Sequence, residues 1–301
     1  MPNALPPTID PTAAVRWQQA PLGASAWLHG EVAQRMEERL DWIKLQPAAW
    51  LDWQPLNGGL ASHQRLLQRY PRARCLVAEA SPARTGAVAH ALHAPWWTAR
   101  RWRQPATEFK LPGDGQVDMV WANMALHMSA DPAALIAQWQ RLLATDGFLM
   151  LSCLGPDSLR ELRAVYAAMG WAPPCHEFTD MHDWGDMLVQ AGFSEPVMDM
   201  ERITLTYTQP ERLLDDLRSL GRNLHVARQP QTRGRGWRAQ LLAAIDQHMP
   251  RAASREGTTA PLALTFEVVY GHALKAAPRR PRGEQAVPLS DMRAMLKRGA
   301  E

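Results

Sequence analysis

Apolar residues recur along this chain with two different periods. In WLHGEVAQRMEERLDWIKLQP, Val32, Met36, Leu40 and Ile43 fall three or four apart, and Pro47 closes the segment. That spacing marks one face of a helix. Beyond it, short apolar runs alternate with helical stretches. AAWLDW reads as a strand, Ser62 to Tyr70 as a helix, ARCLVAEA as a second strand and VDMVWANM as a third. DPAALIAQWQRLLATDG reads as a helix with proline in its first turn and glycine past its end. FLMLSCLG follows as a further strand. Strands and helices in alternation predict a parallel sheet covered on both faces.

The pattern changes in the second half. MHDWGDMLVQAG predicts a helix stopped by Gly192, and EPVMDMERITLTYT a strand. Residues 209–262 read as mostly helical with a basic break at ARQPQTRGRGWR, and LTFEVVYGHALKA reads as a last strand. A helical insertion between the final two strands predicts a lid over the carboxyl edge of the sheet. The expected organisation is a helical cap over 1–46, an α/β core over 47–208, the lid over 209–262, a last core strand over 263–277 and a basic tail over 278–301.

Composition narrows the class. The chain has 301 residues, 46% hydrophobic and 21% charged, as a soluble globular protein has. No run approaches the roughly 20 apolar residues that span a bilayer, and the proline-rich start lacks a signal peptide's apolar stretch. Cys75, Cys153 and Cys175 are widely spaced, which fits a reducing compartment. A cytoplasmic protein without a membrane partner is expected. The net charge of +3 does not argue for nucleic acid. Residues 275–301 hold seven of the 33 Lys/Arg and three of the 30 acids, so the body is close to neutral and the tail carries the basicity.

AWLDWQPLNGG, followed by a helix, has the strand–turn–helix shape of a nucleotide-cradling loop, but Gln54, Pro55 and Leu56 separate the strand from Gly58 and Gly59. In open α/β sheets, ligands bind outside the carboxyl ends of the strands. Asp52 stands near the end of the first predicted strand. Glu79 ends the second, where a carboxylate suits both hydroxyls of a ribose. Asn123 lies at the same edge, although by itself it reads as a helix cap beyond a buried strand. Cys175, His176, His182 and Asp183 match no zinc spacing, so no metal is expected.

EVAQRMEERLDWIKLQP, VDMVWANMALHM, DGFLMLSCLGPDSLRELR, EFTDMHDWGDMLVQAGFSEPVMDMERITLTY, LRSLG and FEVVYGHALKA occur in order between about residues 15 and 277. Together they resemble the malonyl-acyl-carrier-protein O-methyltransferase of biotin synthesis (BioC) and the related mitochondrial complex I assembly methyltransferase homologues. The resemblance implies a class I methyltransferase fold: a Rossmann-like, seven-stranded, mostly parallel sheet with a helical lid before the last strand. It implies S-adenosyl-L-methionine at the carboxyl edge. It also implies methylation of the free carboxylate of a malonyl thioester on an acidic acyl carrier protein, hiding a charge so that the chain can be extended toward pimelate.

Laid on the family loop LDLGCGTG, this chain keeps Leu51, Asp52 and Gly58 but has Gln54 and Leu56 at two glycine positions, with Pro55 between. Glycines there let backbone approach the methionine part of the cofactor, so Gln54, Pro55 and Leu56 are expected to crowd it. The resemblance implies cofactor roles for Asp52, Gly58, Gly59, Glu79 and Asn123. Arg101-Trp102 replace the acid–apolar pair that cups the adenine. Leu22 stands at the family tyrosine, leaving His29 as a polar group under the lid. Arg218 matches the arginine of the family's RSL, and a guanidinium grips a carboxylate in a bidentate way. The carboxylate is already ionised, so the reaction asks for positioning rather than a base. Arg222, Arg228, Arg233, Arg235 and Arg238 make the lid basic, as a solvated face or as a surface for the carrier. Two rival readings use the same residues: a catalytically impaired pseudo-methyltransferase acting as a binding or assembly factor, and a methyltransferase for another small carboxylate.

Overall fold

Strands that are apolar on both faces need cover on both sides, and the two sets of side chains separate residue by residue. In β1 (Ala49–Trp53), Trp50 joins one core cluster and Leu51 the other; in β4 (Val117–Ala122), Met119 and Trp121 alternate likewise with Val120 and Ala122. The computed structural model describes residues 8–23, 25–93, 107–229, 234–253 and 260–277. The other strands are β2 (Arg74–Ala78), β3 (Glu108–Phe109), β5 (Leu143–Leu154), β6 (Ser194–Tyr207) and β7 (Leu262–Leu274). All seven form one sheet in the order β3-β2-β1-β4-β5-β7-β6. β1 to β5 are mutually parallel where they pair, whereas β7 runs antiparallel between β5 and β6. The order reverses between β1 and β4, which makes the loop after β1 the switch point where ligands bind.

The helices are α1 (Pro11–Gln19), α2 (Trp27–Arg39), a single turn α3 (Pro55–Gly58), α4 (Leu60–Arg69), α5 (Pro82–Leu92), α6 (Pro132–Leu142), α7 (Arg160–Ala168), α8 (Met181–Gln190), α9 (Pro210–Leu220) and α10 (Arg235–His248). Local chemistry sets several starts. The side chains of Asp10, Ser81, Asp131 and Asp180 accept a backbone N–H in the first turns of α1, α5, α6 and α8. Val32 and Met36 on α2, with Leu40 beyond it, are fully buried, as their spacing predicts.

One helix end differs from the expectation. The stretch ending ATDG continues no helix: α6 stops at Leu142 and β5 begins at the next residue. Gly147 is not a helix stop. Its missing Cβ makes room for two backbone carbonyls, Ala144 O and Asp118 O, each 2.9 Å from where that atom would stand. The pairing of β4 with β5 shifts register at this point.

α9 and α10 lie in the insertion between β6 and β7. They dock through buried Leu213, Leu241 and Ile245, and Trp237 of α10 meets Trp171 and Tyr166 at ring distances of 5.7 and 6.4 Å. The start of α1 ties to the lid: Asp10 N donates to Leu224 O at 2.8 Å, and its carboxylate pairs with Arg228 at 2.7 Å. Among the described residues no helix is long and apolar enough to cross a membrane. The basic tail over 278–301 lies outside the described residues.

Candidate active site

The chain leaves β1 through Gln54, whose backbone is left-handed (φ 57°, ψ 53°). A residue with a Cβ rarely adopts that conformation, and the family glycine at this position would do so freely. Pro55 then opens α3, where its fixed φ fits and its missing N–H has no helical partner to lose. Leu56 does not enter the ligand space. It is buried against Val77 and Val88, so the expected crowding does not arise at this residue. Gly59 ends the turn at φ 117°.

A buried polar network fixes this loop from behind. The Asn123 amide donates to His29 O at 2.8 Å and also to Gly58 O, and its Oδ1 accepts from Ser152 Oγ at 2.6 Å. His29 Nδ1 lies 2.8 Å from Asn57 O. A carbonyl only accepts, so this nitrogen carries the proton, and burial pushes the imidazole pKa down to about 4. Ser25 Oγ donates to the same carbonyl at 2.8 Å. Asp52 is buried beneath the loop, 2.8 Å from His63 Nδ1; burial raises its carboxyl pKa against the opposing pull of the histidine.

In front of the loop lies a cavity of about 420 Å³, lined by Gln54, Asn57 and Glu79 with Trp17, Phe109 and Met128 among others. That volume falls in the range of about 300–1,000 Å³ common to small-molecule sites. Glu79 Oε1 accepts the Leu56 N–H at 2.7 Å, while its Oε2 is buried without a partner. Burial raises this carboxyl to about 7, opposed by the Leu56 hydrogen bond. An orphaned acceptor at the carboxyl end of β2 fits a ligand hydroxyl. Arg84 braces the wall by donating to Ala20 O at 3.1 Å and to Trp17 O.

A second cavity, about 540 Å³, opens beneath the lid. Leu154, Leu162, Leu214, Leu217 and Trp237 give it an apolar lining, and Arg218, Arg222, Arg235 and Arg238 also line it. At its inner end, His176 Nε2 donates to His127 O at 2.8 Å, and burial holds the His176 pKa down at about 4. Among the described residues Met128 alone lines both cavities.

Two cavities at the carboxyl edge of one sheet, one with an acidic end and one under a basic lid, suit a donor and an acceptor. A family profile described as a methyltransferase domain matches residues 57–151. The malonyl-acyl-carrier-protein O-methyltransferase of Gallionella capsiferriformans is 39% identical over 278 residues, 88% of this chain and 89% of that one. The chain belongs to this family. The Laribacter hongkongensis malonyl-acyl-carrier-protein O-methyltransferase agrees, at 40% identity over 86% of each chain. The class I methyltransferase fold is shared with solved structures. The YcgJ protein of Bacillus subtilis superposes with a TM-score of 0.53 at 13% identity, over 81% of this chain and 99% of that one.

Of the residues that resemblance to the malonyl-acyl-carrier-protein O-methyltransferases assigns to the site, Glu79 lines the first cavity and Arg218 the lid cavity. Asp52, Gly58, Gly59, Asn123 and His29 line neither; they shape the loop. Sequence reasoning missed Asn57, whose carbonyl gathers Ser25 and His29, and Ser152, which locks Asn123. Asn57 was within reach as the polar residue beside Gly58, but Ser152 lies in an apolar run with no local signal. The lid arginines are not equivalent. Arg228 is committed to Asp10, Arg222 sits over the Trp17 ring at 5.7 Å, and Arg233 lies outside the described residues, as do Arg101 and Trp102. Among the described residues no group of three or more His, Cys, Asp and Glu could hold a metal.

Proposed function

We propose that this protein transfers a methyl group from S-adenosyl-L-methionine to the free carboxylate of a malonyl thioester carried by an acidic acyl carrier protein. The observation that carries the reading is the pair of cavities that share Met128, one lined by Glu79, whose Oε2 has no partner, and the other lined by Arg218. Glu79 would hold the ribose hydroxyls, with Gln54 and Asn57 beside it along the donor. When bound, the cofactor would supply an electrophilic methyl group to the carboxylate oxygen, the new oxygen–carbon bond replacing the sulfur–carbon bond so that a neutral ester and a neutral thioether would remain.

The chain's own part is positioning. Arg218 makes no ion pair among the described residues and can grip one end of the malonyl carboxylate. The apolar walls of the lid cavity hold the thioester arm and exclude water. No base is needed, because the nucleophile is ionised before it binds. Asp52, Gly58, Gly59, Asn123 and His29 act through the loop, by fixing the backbone against which the donor lies. Leu56 turned away from the cavity, and a left-handed Gln54 that keeps the loop's course, favour a working site over the impaired alternative.

Arg218→Ala tests the assignment. Arg218 is exposed in the free protein, so losing its charge-assisted hydrogen bond to the carboxylate costs about 1.5–3 kcal/mol, and transfer to malonyl-carrier should fall at least roughly tenfold in kcat/KM. S-adenosyl-L-methionine affinity, measured by calorimetry, should not change. Unchanged kcat/KM would refute the carboxylate role, and equal loss of cofactor and substrate binding would indicate a folding defect instead.

A further inference from the structure

Met128 ends a short 3-10 turn (Leu126–Met128) after β4 and is half-buried against the cluster of Ile9, Ala13, Ala14, Trp17 and Leu224. Its side chain leans on the lid: a Cβ built on Gly221 would stand 3.3 Å from Met128 Cε and 3.9 Å from its sulfur. Gly221 follows α9 with extended backbone (φ 166°, ψ −153°), a conformation open to any residue. What glycine supplies here is room for the thioether, three residues beyond Arg218.

We propose that Met128 is a specificity-determining residue, the partition whose thioether, seated on Gly221, sets how far an acyl group reaches from the lid cavity toward the donor. This rests on the donor and acceptor assignment made above. Reacting atoms must approach to about 3–3.5 Å in line. With Arg218 gripping the carboxylate, one extra methylene must be absorbed by the wall at the junction or else displace the oxygen. Met is unbranched and adaptable, so it closes on a short acyl group and resists a longer one through its seat on the lid.

The experiment compares malonyl- and succinyl-pantetheine as methyl acceptors. Met128→Ala should raise the succinyl-to-malonyl ratio of kcat/KM roughly tenfold, the low end of what one methylene is worth in an apolar pocket. Met128→Leu, which conserves volume, should leave the ratio near that of the parent. An unchanged ratio in Met128→Ala, with S-adenosylhomocysteine affinity retained, overturns the proposal. If the parent protein methylates neither thioester, the substrate assignment fails, and the partition is judged separately. For that purpose Met128→Cys is labelled with a neutral thiol reagent in a Cys175→Ala background, because Cys175 lines the lid cavity whereas Cys75 and Cys153 are fully buried. Labelling should be slowed by S-adenosylhomocysteine from one side and by adding Gly221→Val from the other. Slowing by only one of the two would place Met128 in a single cavity and end the proposal. The labelling arm also serves if Met128→Ala does not fold.

Discussion

Gln54 and Leu56 illustrate how much a single position depends on direction as well as size. A left-handed residue with a Cβ costs about 1–2 kcal/mol, and Gln54 bears that cost to keep the course of the loop. Leu56 fills a hydrophobic cluster instead of the ligand space, so restoring glycine there should harm the protein. Leu56→Ala should lose about 2–5 kcal/mol in chemical denaturation. Gln54→Gly should stay within about 1 kcal/mol of the parent, because relieved strain is offset by a freer unfolded chain. A neutral Leu56→Ala would show that the cluster is not packed as described. Glu79 gives a pH dependence whose sign follows from its raised pKa of about 7 against 4.5 in the unfolded chain. Its contribution to stability is fullest below pH 4.5 and is lost as pH rises through 7. Glu79→Gln should therefore gain stability over the parent at pH 8 and not at pH 4. Ligand hydroxyls prefer the carboxylate, so S-adenosylhomocysteine should bind the parent more tightly at pH 8 than at pH 6. That difference should flatten in Glu79→Gln; calorimetry showing equal slopes would remove Glu79 from the donor site.

At the scale of elements, alternation of apolar runs and helical faces was enough to predict a parallel sheet covered on both faces, but not the order of its strands or the antiparallel course of β7. Trp50 and Leu51 pointing to opposite cores is the signal of a strand covered on both sides, and it is local. The start of β5 was illegible because glycine after a helix and glycine at a strand irregularity look alike in one dimension. Only the approach of Asp118 O and Ala144 O to Gly147 distinguishes them. The loop network was hidden for a similar reason: Asn123, Gly58, His29 and Ser152 are far apart in sequence and meet only when the sheet forms. Two glycines make the difference measurable. Gly147→Ala should destabilise by about 1–3 kcal/mol, since its Cβ meets backbone that cannot move aside. Gly86, exposed in α5 with nothing within 4 Å of an added Cβ, should gain about 0.5–1 kcal/mol as alanine. Thermal melts of both variants decide it, and a stabilising Gly147→Ala would contradict the described register shift.

Across the whole molecule, charge is divided between a nearly neutral body and a lid cavity lined by Arg218, Arg222, Arg235 and Arg238. Attraction of the proposed acidic carrier to such a face is screened within a Debye length of about 8 Å at physiological salt. Association of malonyl-carrier should slow steeply with salt, and Arg235→Glu with Arg238→Glu should slow it further without altering S-adenosyl-L-methionine affinity. Association indifferent to both would remove the lid arginines from carrier docking. The lid leaves the sheet at Tyr207 and returns at Leu262, two residues that face each other in the β6–β7 pairing. To the sheet, everything between them is one long hairpin connection. Such an excursion can be exchanged, lengthened or rebuilt while both strands keep their register, so ancestry can rewrite what is methylated without disturbing how the methyl donor is held.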